Sequence, residues 1–216
     1  MRFGWGAAGA ASIGSDAHLV VWVDVLPTSD VHAAAAAVPD GPEVVLAGIG
    51  NAAAVADRAL VLQAAREDRC IVAIVAAGID DTPVGGPALD ASLEGAGEPA
   101  GDTSTVPDFA VEDLLVAGAV VDALADGGID FSSPEAAAAG AAFTGLRGAL
   151  RHLVAASVSA ELLDSAGRHD AVEAALTAGA SLPVLRPARA QPPRAGCAER
   201  EPAARDHPEA VAREQR

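Results

Sequence analysis

The 216-residue chain carries 30 acidic side chains against 14 arginines and no lysine, for a formal net charge of −16. Residues 188–216 hold 6 of the arginines and 5 of the acids, which leaves 8 − 25 = −17 on residues 1–187. Such a body repels nucleic acid and anionic membrane surfaces, so both are poor partners, and an anionic ligand needs a metal ion or a local arginine to be held.

Hydrophobic residues make up 51% of the chain but aromatics only 3%, so a core must be built from Ala, Val and Leu on regular elements. Cys70 and Cys197 show no pairing pattern, which fits a reduced, cytoplasmic setting. The opening "MRFGWGAAGAASIGSD" has no apolar core of signal-peptide type, and no apolar stretch reaches the ~18–20 residues of a spanning helix.

In chain order, "HLVVWVDVL" (18–26) is short and β-branched and predicts a strand. "TSDVHAAAAAV" (28–38) opens with cap residues and runs into alanines, predicting a helix. "EVVLA" (43–47) predicts a second strand, and Asn51 is placed to cap a helix through "AAAVADRALVLQAARED". "CIVAIVAAG" (70–78) is apolar throughout, as expected of a strand covered on both faces. Residues 79–108 show no period and predict a long loop. Helices are expected at about 110–126, 134–156 and 169–178, and "SLPVL" (181–185) predicts a last short strand. The Pro-, Arg- and Glu-rich residues 188–216 predict a disordered tail after a domain spanning 1–187.

Alternating strands and helices indicate an α/β protein, a three-layer α/β/α sandwich with a largely parallel or mixed sheet. Ligands in such folds sit beyond the carboxyl ends of the strands. Asp24 lies just there, three residues before Pro27. With Thr28, Ser29 and Asp30 it could form an anion-and-metal corner at the start of a helix, or Thr28 and Ser29 could merely cap that helix. Glu112 and Asp113 open a later helix, where the dipole alone favours acids, or serve as metal ligand and general base. "GIGNAA" (48–53) matches G-x-G-x-x-A, but the ribose acid expected about 20 residues on is not at a strand end, so the dinucleotide reading rests on these six residues alone. Ser157 and Ser159 could bind an anion after a helix. The five histidines lack zinc-ligand spacing, and no Walker A or G-x-S-x-G string occurs.

Taken in order, "RFGWGAAGA", "VVWVDVL", "GIGNAAAVA", "IVAIVAAG", "FAVEDLLVAGAVVDAL", "SPEAAAAGAAF" and "HDAVEAALTAGASLPVL" resemble the 2-phosphosulfolactate phosphatases, the ComB-like proteins of coenzyme M biosynthesis, in their actinobacterial form. The likeness spans about residues 2–187. It implies a Mg2+-dependent phosphomonoesterase that releases phosphate from a sulfonated hydroxy acid. Asp24, Glu112 and Asp113 then become catalytic and metal-binding residues, with Thr28, Ser29, Asn51 and Ser157 around the substrate. Asp24 would be metal ligand or nucleophile. Pro27, and the direct passage from Asp40 to Val44 where the family carries a Thr-Thr-Asn-Gly or Ser-Pro-Asn-Gly loop, keep a second expectation open: a non-catalytic binding or assembly domain on the same scaffold. The expected partner is a small phosphorylated acid, with homo-oligomerisation left open.

Overall fold

Strands β1 (Arg2–Trp5), β2 (Leu19–Val23), β3 (Glu43–Ala47) and β4 (Val72–Ala76) run parallel in the order β1-β4-β2-β3, and β5 (Val184–Arg186) pairs antiparallel with the outer edge of β3. Val21 at the centre faces Ile74 of β4 on one side and Val45 of β3 on the other. This computed structural model describes residues 1–28, 30–66, 68–79 and 109–189. The 79–108 loop beyond Ile79 and the tail from residue 190 lie outside the described residues.

Strict alternation along the strands divides the apolar side chains between two cores. Leu19, Val21 and Val23 of β2, Val45 and Ala47 of β3 and Val72, Ile74 and Ala76 of β4 face one side. Val20, Trp22, Val44, Ala73 and Val75 face the other. Because both faces are covered, β2 and β4 have no exposed position at all, which is why they read as continuous apolar runs.

Chain direction decides which helices cover which face. Helices α1 (Gly6–Gly14) and α2 (Val31–Ala35) follow β1 and β2, whose chains move toward β3, and their Ala10, Ile13 and Val31 pack on the Trp22 side. Helix α3 (Ala52–Arg66) carries the chain back from β3 to β4, and its Val55, Ala56 and Ala59 pack on the opposite side. Right-handed crossovers in opposite directions must lie on opposite faces. Helix α4 (Val111–Asp126) joins α3 there through Val116, Val120 and Leu124. The remaining helices are α5 (Pro134–Leu146), α6 (Leu150–Ala155), α7 (Val158–Ser165) and α8 (His169–Thr177). Ala136, Val154, Leu163 and Val172 bring all four onto that same core. The result is the three-layer α/β/α sandwich with a mostly parallel sheet.

Several elements differ from expectation for identifiable reasons. The first strand and helix, β1 and α1, carry no pattern of their own because glycines interrupt it. A Cβ on Gly9 would sit 2.8 Å from the backbone carbon of Gly4, so the two glycines let α1 lie directly on β1. The helix expected over 28–38 forms only at Val31–Ala35. Ala36 N–H bonds Ala33 O in a tight three-residue closure, and Arg186 draws the carbonyls of Val38 (2.9 Å) and Pro39 (2.6 Å) away from the helix. The 134–156 segment breaks at a 3-10 turn, Arg147–Ala149, which contains the weak helix former Gly148 and closely follows Gly145. Helix α7 was not expected; Ser157 caps it. The last strand falls later than expected, at Val184–Arg186. Its continuation docks as far as Arg189, whose backbone N–H bonds Gly41 O (3.0 Å) and whose guanidinium meets Asp40 (2.7 Å).

Candidate active site at the carboxyl edge of the sheet

Strands β4 and β2 are neighbours, but the helix packed after β4 and the helix after β2 lie on opposite faces. Their loops therefore part and leave a crevice at the carboxyl edge, the place where this architecture holds ligands. Asp24 is the first residue past β2, and Gly78 stands two past β4. Asp113, in the first turn of α4, spans the gap: Oδ1 accepts the Val25 N–H (2.9 Å) and Oδ2 the Gly78 N–H (3.0 Å). One carboxylate thus ties three elements together.

That carboxylate is under electrostatic pressure. Asp113 is only 2% exposed. Burial pushes its carboxyl well above the usual carboxylate range, and the charge of Asp24 pushes it further. The two backbone N–H bonds pull the other way, and the charge of Glu112 adds to the rise. Asp24 itself is half-buried at the crevice. Glu112 is also 2% exposed, and its Oε2 has no hydrogen-bond partner among the described residues. A buried acceptor left unpaired costs about 1–3 kcal/mol, more when charged, so this corner is held against its own preferences.

The acids expected from the sequence are therefore brought together at one edge, with the charge of Asp24 acting on Asp113. They do not form the three-acid metal cluster anticipated for Asp24, Glu112 and Asp113: no group of three His, Cys, Asp or Glu among the described residues could hold a metal ion. The donor set still fits a hard cation, because Mg2+ is commonly held by one or two carboxylates plus water and substrate oxygens. Asp24 and Asp113 could supply such a pair. Mutual repulsion between them is what a dication would relieve.

The expected substrate contacts fare differently. Asn51 is 5% exposed and fully engaged: Oδ1 accepts Gly48 N–H (2.9 Å), while Nδ2 donates to Leu46 O (3.0 Å) and Ser181 O (2.9 Å). It staples the β3–α3 turn to the approach of β5, with no amide proton left for a ligand. Ser157 Oγ accepts Ala160 N–H (3.3 Å) and serves as the cap of α7. Asp30 Oδ1, not Thr28, meets the first turn of α2 through His32 N–H (2.9 Å). Five residues are too few for that helix to offer an anion site. Thr28 is half-buried beside Pro27, and Ser29 lies outside the described residues.

The glycines of "GIGNAA" also have a local explanation. A Cβ on Gly50 would lie 2.3 Å from Ala178 O and 2.9 Å from Gly179 O. The protein's own backbone occupies the close approach that a pyrophosphate makes to the second glycine of a dinucleotide fingerprint.

One residue escaped the sequence reading. Arg168, half-buried at the start of α8, points Nη1 at Pro27 O (3.4 Å), on the loop that leaves Asp24. Among the described residues it makes no ion pair. The available signal was scarcity: residues 1–187 hold only eight arginines, so each has a large effect on where an anion can sit. The chain matches no protein-family model and no curated protein.

Proposed function

We propose that the β2–β4 crevice is the active site of a Mg2+-dependent phosphomonoesterase acting on a small phosphorylated acid, the activity implied by the resemblance to the 2-phosphosulfolactate phosphatases. The observation that carries this reading is Asp113, pinned by Val25 and Gly78 N–H groups across the crevice with the charge of Asp24 upon it.

Asp24 and Asp113 would hold the cation, which supplies positive charge for the phosphoryl oxygens in an otherwise repulsive field. Asp113 fixes the two strand-end loops, so Asp24 is presented from a rigid support. Arg168 contributes a cation near the Asp24–Pro27 loop and pairs with the acid group of the substrate. Glu112, with an oxygen in the same helical turn that has no partner among the described residues, takes the proton of the attacking water. Asn51 and Ser157 hold the frame and are not assigned to the substrate.

A non-catalytic binding domain is the second reading, favoured by the full engagement of Asn51 and Ser157 in backbone bonds. Phosphate release from 2-phosphosulfolactate and from simple phosphomonoesters, with Mg2+ and with chelator, separates the two. The phosphatase reading expects release that needs Mg2+, falls about 100-fold or more in Asp24→Asn, and shows a raised KM in Arg168→Ala. Absence of release from every phosphomonoester leaves the binding domain.

A further inference from the structure

A second opening, among the described residues, is at the other end of the sheet. A cavity of about 980 Å3 lies at the amino ends of β1, β2 and β4, bordered by the ends of α3 and α4 and the start of α5. Its size suits a small-molecule ligand. Three of the eight arginines of residues 1–187 line it, Arg2, Arg66 and Arg69, against two acids, Asp68 and Asp130. On a body of net charge −17 that balance is inverted.

Two of the three arginines have no ion-pair partner among the described residues. Arg2 is engaged by Asp16 (2.9 Å). The guanidinium groups of Arg66 and Arg69 make no ion pair among the described residues, although both are exposed at the rim. Asp68, the nearest acid in sequence, spends Oδ1 on the backbone N–H of Arg69 (2.7 Å). Arg66 stands in the last turn of α3, where the helix dipole favours a cation, yet no hydrogen bond from it to a helix carbonyl occurs among the described residues. Phe131, also on the lining, is 80% exposed and stacks on no other described ring. An exposed aromatic and two guanidinium groups with no ion pair among the described residues line the same opening, where they can offer a ring platform and a phosphate clamp.

We propose that this cavity is a second ligand site, for a small organic phosphate with a flat ring, its phosphate on Arg66 and Arg69 and its ring against Phe131. The site is separate from the carboxyl edge and does not depend on the phosphatase reading.

Isothermal titration of the full chain with AMP as probe, and inorganic phosphate as comparator, tests it. AMP should bind saturably and phosphate about tenfold more weakly or worse. Arg66→Ala with Arg69→Ala should weaken AMP about tenfold or more while leaving the unfolding midpoint unchanged, since both side chains are exposed; Arg66→Gln with Arg69→Gln provides a second charge-free pair. Phe131→Ala should lose the preference for AMP over phosphate. Asp24→Asn should leave AMP binding intact. No saturable binding, binding that survives loss of both arginines, or binding abolished by Asp24→Asn overturns the proposal. Phosphate binding as tight as AMP overturns the role of the ring.

Discussion

Two strand-to-helix passages leave the same edge of the sheet and are built in opposite ways. After β3, the turn through Gly48 and Asn51 is closed: Asn51 makes three hydrogen bonds, and Gly50 admits the Ala178 carbonyl. After β2, the turn through Asp24 and Val25 sets the charge of one carboxylate on another, with a third acid nearby whose buried oxygen has no partner among the described residues. Both passages looked like ligand sites in the sequence, and the first had the more familiar motif. The difference teaches that polar satisfaction, rather than motif, separates a turn that holds the fold from one that can act on a ligand. A satisfied turn has nothing left to give a ligand, whereas a conflicted one gains from it.

The sharpest way to break this comparison is at the closed turn. Asn51→Ala strips partners from Gly48 N–H, Leu46 O and Ser181 O, and should cost about 2–4 kcal/mol in chemical denaturation. Gly50→Ala forces a Cβ against backbone that cannot rotate away, with an expected loss of about 1–3 kcal/mol or more. Neither should alter Mg2+-dependent stabilisation. A near-neutral Asn51→Ala that instead weakened ligand binding would restore Asn51 to the substrate.

Asp113 should behave less simply, and pH exposes the difference. Its folded-state pKa is raised above its unfolded value, so the protein binds the proton more tightly when folded. The stability linked to it is fully present below the ordinary Asp range near ~3.9 and is lost as pH rises through the raised folded value. Asp113→Asn keeps one acceptor for the two N–H groups and removes the strained charge. Its cost should be about 1–2 kcal/mol in acid and shrink as pH increases. Unfolding curves of both proteins across that range measure it. A cost that grew with pH would mean the charged form is the stabilised one, and the conflict at this turn would be absent.

How far the sequence revealed this arrangement depends on the range of each signal. β3 was readable to the residue, and β2, β4, α3 and α4 within a few residues, because apolar patterning is local and these elements are buried. Asp24 and Asp113 were recognisable by the same logic of position, one at a strand end and one in a first turn. Their joining through Val25 and Gly78 was not, since those bonds cross 88 and 35 residues of chain. The full engagement of Asn51 was not readable either, because its partner Ser181 lies 130 residues away. Arg168 was missed because nothing near it in sequence points to Pro27. The β1–α1 unit was overlooked for the reverse reason: its glycines are informative only once strand and helix are seen in contact.

The smallest expected effect is also the most discriminating. Asp24→Asn removes the charge that raises the carboxyl of Asp113 while keeping shape and polarity. Without divalent cation the variant should therefore be as stable as the parent or more so, by up to about 1 kcal/mol near neutral pH. Lowering the pH should close the gap, because a protonated Asp113 no longer feels the charge of Asp24. Millimolar Mg2+ should close it from the other side by stabilising the parent alone, since a ligand that binds the folded state shifts stability by RT ln(1 + [L]/Kd). Thermal midpoints of both proteins, with chelator and with Mg2+ at two pH values, form the complete test. A variant less stable than the parent without cation would make Asp24 a structural acid like the Asn51 amide. Equal stabilisation of both proteins by Mg2+ would move the cation away from the crevice and leave the two turns no longer opposed in function.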